Sequence, residues 1–213
     1  MDAVLFYVAD PMCSWCWGFR PVLDRVRKAL PREVPLRFVM GGLAKDSQEQ
    51  MPDHVRAYIQ NAWREVSAKT GAAFNWDFWT RCRPRRSTYP ACRGVLSAAA
   101  QAEEAGPRYF EAVQKAYYLQ ARNPSEVGTL VELAEESGLD VSRFEAALRS
   151  REIDQRLHED FSLRSRLGIR EFPSLVLEQI EARTPMAVGY EDAEVVLGRL
   201  ASALGQRPAV SSA

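Results

Sequence analysis

The sequence predicts an α/β protein with the element order βαβ…αββα, split by a large all-helical insertion. Three observations lead there. Residues 4 to 40 read as strand, helix and strand. From roughly Pro52 to Ser150 the periodicity is helical with no convincing strand. Two further strand patterns and a closing helix follow Gly168.

The first strand is expected at Val4-Leu5-Phe6-Tyr7-Val8, an unbroken apolar run with β-branched and aromatic members. The first helix is expected where Phe19, Val22, Leu23, Val26, Ala29 and Leu30 recur at helical spacing among Arg20, Asp24, Arg25, Arg27 and Lys28. Between them, Asp10-Pro11-Met12-Cys13-Ser14-Trp15-Cys16-Trp17 sets two cysteines two residues apart where the helix begins. Pro31 and Pro35 bracket a turn, and Leu36-Arg37-Phe38-Val39-Met40 forms a second strand. The strand–helix–strand unit makes the two strands parallel by the right-handed crossover rule. Gly41-Gly42 then ends the strand with the backbone freedom that a loop near a ligand uses.

In the helical block, Asp53 to Lys69 carries Val55, Ile59, Ala62, Trp63 and Val66 on one face, and Gly71 stops it. Ala72 to Trp79 is aromatic-rich and expected to be irregular. Ala91 to Ala105 is alanine-rich and should end at Gly106-Pro107, with Tyr109 to Ala121 following and Pro124 beyond it. Ser125-Glu126-Val127-Gly128 opens a helix to Glu136, with Gly138 just past its end. Ser142 and Glu145 are spaced like a capping box on the next helix. A polar helix, Glu152 to Arg166, returns the chain to strands through the turn Gly168-Ile169-Arg170-Glu171. Phe172-Pro173-Ser174-Leu175-Val176-Leu177 enters a strand from a proline, Thr184 to Val188 is another, and Asp192 to Leu204 closes the fold. Gln206 to Ala213 is small, polar and expected to be loose. The division expected is a thioredoxin-like core over residues 1–46 and 150–213, with a helical insertion over 47–149.

Composition narrows the chemistry. Among 213 residues, 28 basic and 28 acidic side chains cancel, so nucleic acid and anionic membranes are not expected partners. No apolar run reaches membrane-spanning length. The first residues lack the pattern of a secretory signal, so a cytoplasmic location is expected. Four cysteines are too few for a disulfide scaffold, which leaves Cys13 and Cys16 for redox or metal chemistry.

A helix N-terminus presents unsatisfied N–H groups and the positive end of the dipole, an environment that favours a thiolate at Cys13. Cys16, one turn on, can attack a mixed disulfide at Cys13. Cys13 is therefore read as nucleophile and Cys16 as resolving thiol. The competing reading is a zinc half-site or two inert core cysteines. Zinc needs a second ligand pair, and Cys82 and Cys92 do not form one; His54 and His158 are not spaced to complete a site. No metal and no bound cofactor are expected.

Several segments together resemble the DsbA-like thioredoxin superfamily, in particular its cytoplasmic protein-disulfide isomerase branch. They are Asp10 to Gly18, Gly41-Gly42-Leu43, Pro84 to Arg93, Ala116-Tyr117-Tyr118, Ala121-Arg122-Asn123-Pro124 and Gly168 to Leu175. The resemblance implies a thioredoxin core with a helical insertion, dithiol–disulfide exchange at Cys13 and Cys16, and a cis-proline at Pro173 lying against the cysteines. A trans proline opening an edge strand is the alternative there. The chain departs from periplasmic DsbA in carrying Ser14-Trp15 between the cysteines, so the redox potential of that enzyme does not transfer. Ser14, Trp15, Phe172, Gly41 and Gly42 are the expected substrate contacts, Trp15 above Trp17. The expected substrates are protein or small-molecule thiols and disulfides, with glutathione as a potential co-substrate.

Two other functions fit parts of the pattern. Kappa-type glutathione transferases and hydroxychromene-carboxylate isomerases resemble the same split fold, but typically place serine where Cys13 stands. A peptide-binding module could use the proline groove without any exchange chemistry. Cys82 and Cys92 read either as a second redox pair or as packing residues, Cys82 in a loop whose arginines would favour its thiolate.

Overall fold

The computed structural model describes residues 3–180 and 182–205. Met1-Asp2, on which the absence of a leader was read, and the 206–213 tail both lie outside the described residues. Strands β1 (Val4–Ala9), β2 (Leu36–Met40), β3 (Ser174–Gln179) and β4 (Ala182–Val188) form one sheet in the order β2-β1-β3-β4. β1 and β2 are parallel, with Leu5 opposite Leu36 and Ala9 opposite Met40. β3 runs antiparallel to β1, with Tyr7 opposite Leu175, and β4 antiparallel to β3. This is the thioredoxin fold carrying a helical insertion.

The period of two along β1 sends alternate residues to opposite faces. Leu5, Tyr7 and Ala9 join the main core, while Phe6 and Val8 pack with Val39, Val176, Leu163 and Ile169. The second face is thus covered by α9 (Arg151–Arg166), which Ser150 caps by accepting the Ile153 N–H. Glu152 and Asp154 lie in the first turn of α9 and Arg164 and Arg166 in its last, matching the helix dipole. The main core is continuous from the sheet into the helical block.

The expected first helix is two pieces, α1 (Ser14–Gly18) and α2 (Arg20–Ala29), joined at Phe19 just before Pro21. Then come α3 (Asp53–Thr70), α4 (Phe78–Arg81), α5 (Tyr89–Ala99), α6 (Ala105–Tyr118), α7 (Val127–Glu136), α8 (Val141–Leu148) and, after β4, α10 (Ala193–Ala203). Three local expectations fail. The alanine-rich helix stops at Ala99, and Gly106-Pro107 lie inside the first turn of α6, where a missing N–H costs nothing. Ser125 does not cap α7, because its hydroxyl donates to the Ser87 carbonyl instead. Asp140, not Ser142, caps α8, through the Arg143 N–H.

Trp63 of α3 is fully buried and is the hub of the insertion, with Phe74, Trp79 and Tyr118 centred 4.9, 5.0 and 5.5 Å from it. That cluster reaches α1 through Trp17, whose ring stacks on Tyr118 at 5.4 Å and whose Nε1–H donates to the Ala73 carbonyl. Gly18 lets α1 and α3 touch: a Cβ there would sit 2.8 Å from Val66. The insertion therefore grips the helix that carries the two cysteines.

Candidate active site

Cys13 is the N-cap of α1, with extended backbone, and its sulfur accepts the Cys16 N–H at 3.4 Å. The thiol of Cys13 faces the Phe172 carbonyl oxygen at 3.7 Å. Cys13 is 7% exposed and Cys16 fully buried, so an incoming substrate meets Cys13 first. Burial, then hydrogen bonding to Cys13, pushes the Cys16 thiol well above its ordinary value. Behind the pair stands Tyr7 of β1, buried on the cysteine side of the sheet. Burial first, and then the two thiols, hold its phenol protonated well above the usual range.

The Phe172–Pro173 peptide is cis. It ends the turn before β3, whose first residue, Ser174, pairs with Val8 of β1. That pairing carries Phe172 and Pro173 to the cysteine end of the sheet. Gly41, just after β2, closes the same corner: a Cβ there would lie 2.5 Å from the Phe172 ring.

Of the expected substrate contacts, the structure brings Trp15 and Phe172 into one groove. This cavity of about 530 Å³ beside Cys13 is lined by Trp15, Tyr190, Phe172, Glu65, Lys69 and Glu171. Trp15 and Tyr190 centre 5.9 Å apart as its aromatic wall. Gly41 lies buried under Phe172. Gly42, at φ +66°, packs on the Phe161 and Tyr89 rings and faces a different cavity beyond Phe172. Ser14 opens α1 but lines neither cavity. Trp76 and Trp79 belong to the cluster around Trp63 and not to the groove.

Asp10 escaped the reading of the sequence. It is fully buried three residues before Cys13, and its carboxylate accepts from Met12 N–H at 2.8 Å, Leu43 N–H at 2.8 Å and the Thr88 hydroxyl at 2.6 Å. One side chain thus ties the cysteine loop to the Gly41–Leu43 loop and to the start of α5. Burial raises its carboxyl above the ordinary range, against the pull of those hydrogen bonds. An acid just before a Pro-x-Cys turn is visible in sequence, but its burial and its partners are not. Tyr190, Glu65 and Lys69 gave no local signal at all.

Cys82 and Cys92 are separate thiols. The Cys82 sulfur donates to the Ala121 carbonyl at 3.1 Å, and burial raises its pKa, with only Arg81 opposing; the expected thiolate-favouring setting is absent. Cys92 is buried at the start of α5 with its sulfur 3.6 Å from Asp10, and burial raises it well above its ordinary value. No cluster of His, Cys, Asp and Glu suited to a metal occurs among the described residues.

A family model described as Thioredoxin matches residues 6–194. The chain belongs to the thioredoxin family. A candidate protein disulfide isomerase from Nitrosomonas europaea superposes on this thioredoxin-family chain with a TM-score of 0.86 at 31% identity, covering 96% of this chain and 98% of that one. The cytosolic disulfide reductase DsbM from Pseudomonas aeruginosa shares the fold, with a TM-score of 0.77 at 23% identity over 95% of this chain and 98% of its own. That reductase has also been solved with GSH. Among curated relatives, the ClpXP adapter protein SpxH of Bacillus subtilis is 22% identical over 210 residues, spanning 96% of this chain and 68% of that protein.

Proposed function

We propose that this thioredoxin-family protein is a thiol–disulfide oxidoreductase acting on protein or small-molecule disulfides. The observation that carries the reading is the convergence of Cys13, Cys16 and the Phe172 carbonyl ahead of Pro173 at one end of the sheet. In the reducing direction the Cys13 thiolate attacks a substrate disulfide, forms a mixed disulfide and expels one substrate thiolate. The Cys16 thiol then loses its proton and attacks the Cys13 sulfur, expelling the second. The protein dithiol is oxidised to Cys13–Cys16 and the substrate is reduced to two thiols, with the two protons ending on the products.

Pro173 and Phe172 shape the acceptor side of the site, Trp15 the wall of the groove, and Gly41 and Gly42 let the neighbouring loop approach. Ser14 remains a substrate contact on this reading, through its place between the cysteines. Glutathione is the natural co-substrate class to test, since the Pseudomonas relative has been solved with GSH. A cytoplasmic location accords with the resemblance and with that relative's description as cytosolic; no helix among the described residues is long and apolar enough to cross a membrane.

A second reading has its own support, because the curated relatives are named as ClpXP adapters. On that reading the groove clamps a protein partner. A glutathione-dependent transferase or isomerase is the third. Insulin reduction and glutathione-coupled exchange, with wild type and Cys13→Ser, separate them. Exchange that vanishes in the variant supports the oxidoreductase. Conjugation or isomerisation that survives supports the third reading. Wild-type protein that exchanges nothing yet binds a partner sinks the first.

A further inference from the structure

Phe172 separates two cavities of opposite character. The groove beside Cys13 holds two carboxylates, Glu65 and Glu171, against the single ammonium of Lys69. The cavity on the other side of the ring, about 580 Å³, is lined by Arg164 and Arg170 with Gly42, Leu43 and Ser165, and contains no acidic side chain.

Neither arginine is paired with a carboxylate among the described residues, unlike Arg85, Arg93 and Arg122 of the insertion. Arg170 is exposed. Arg164 is held in place: its Nη1 donates to the Gly41 carbonyl at 2.6 Å, and its guanidinium lies over the Phe161 and Phe172 rings at 5.6 and 6.0 Å. Its Nε is buried with no acceptor. That nitrogen is sealed from solvent, so the donor open to a ligand is the terminal Nη2, which has no acceptor among the described residues and suits a planar carboxylate.

We infer that Arg164 and Arg170 form a carboxylate subsite for a thiol or disulfide substrate whose reacting sulfur sits at Cys13. The inference rests on the redox reading of Cys13 and adds the substrate class to it. A carboxylate one or two residues from the reacting sulfur lies about 4–7 Å along an extended chain. That is the scale of the one side chain, Phe172, standing between the cysteine and the arginines. The acidic groove on the near side repels the anionic end of such a substrate, so the charge layout also sets its direction across Phe172. Glutathione and acidic peptides share this chemistry.

The test measures rates of oxidation of the reduced protein by glutathione disulfide and by the neutral hydroxyethyl disulfide. Arg170→Gln is exposed and keeps the fold; Arg164→Gln is the companion, with Arg164→Lys retaining charge but not the fork. The ratio of the two rates, charged over neutral, is expected to fall about tenfold in each Gln variant, the worth of a hydrogen bond to a charged group. A ratio unchanged in both Gln variants overturns the subsite.

Calorimetric binding to Cys13→Ser protein supplies a readout independent of exchange. S-methylglutathione should bind about tenfold more tightly than its diethyl ester, and adding Arg170→Gln should remove that difference. An S-methylated acidic tripeptide that binds as well as S-methylglutathione makes acidic peptides part of the ligand class; one that binds no better than its amide restricts it to glutathione. Equal binding of acid and ester overturns the inference. Arginine-dependent binding in a protein that exchanges neither disulfide leaves the subsite standing and removes the redox reading.

Discussion

The Phe172 carbonyl oxygen lies 3.7 Å from the Cys13 sulfur, although 159 positions separate the two in sequence. One thiol of the pair thus faces a backbone acceptor at the mouth of a groove, while the other is sealed beneath it. The asymmetry assigns the roles, and it can be tested.

Reduced protein treated with iodoacetamide near neutral pH should be modified at Cys13, with Cys16 and Cys92 reacting only after unfolding. Burial raises both of the latter thiols well above their ordinary value, so they stay protonated where Cys13 is reached. Peptide mapping by mass spectrometry reads the order, and Cys16 labelled first would reverse the assignment. Cys16→Ser should in turn accumulate a mixed disulfide at Cys13 with a substrate that wild type releases.

Trp15→Ala should raise KM for a peptide disulfide several-fold while leaving the alkylation of Cys13 largely intact. The ring stands 5.9 Å from Tyr190 in the groove wall, and an aromatic contact of this kind is worth about 0.5–1.5 kcal/mol. Steady-state kinetics with peptide and hydroxyethyl disulfides distinguish this from a general loss. A KM change of equal size for both substrates would assign Trp15 to structure.

Gly42→Ala should destabilise the fold more than Gly71→Ala. Both sites have positive φ, +66° and +73°, and share a backbone cost of about 1–2 kcal/mol. A Cβ at Gly42 also meets Phe161 at 2.4 Å, whereas one at Gly71 meets nothing within 4 Å. Overpacking adds about 1–3 kcal/mol at the first position alone. Urea midpoints of the two variants make the comparison.

Asp160 on α9 supplies a pH dependence. Its carboxylate accepts the Met40 N–H at 2.8 Å at the end of β2, and burial pushes its pKa up to about 6 against the opposing pull of that bond and of Arg37 and Arg156. The folded value exceeds the unfolded value of about 3.9, so the folded state binds the proton more tightly. The resulting stabilisation is full below pH about 3.9 and is lost as pH rises through about 6. Relative to Asp160→Asn, wild type should therefore lose on the order of 2 kcal/mol between pH 4 and 7. Urea titrations at both pH values measure it, and parallel curves for the two proteins would refute it.

Much of this protein was written in its local sequence. The apolar run at Val4 to Val8, the alternation at Leu36 to Met40 and the helical period from Pro52 onward follow from side-chain spacing alone, and spacing decides which face of an element meets the core. The Cys-x-x-Cys turn and Pro173 were visible for the same reason: their meaning is carried by covalent neighbours. Caps were less legible, because Ser125 and Ser142 each had a local role available and Ser125 took a partner 38 residues away. Tertiary packing alone decided the rest. It buried Asp10 as the tie between three loops, placed Tyr190 opposite Trp15, turned Cys82 and Cys92 to different neighbours, and set Arg164 and Arg170 on one cavity beyond Phe172. Burial and partnership set how a carboxylate, thiol or guanidinium behaves, and both depend on segments brought together from across the chain.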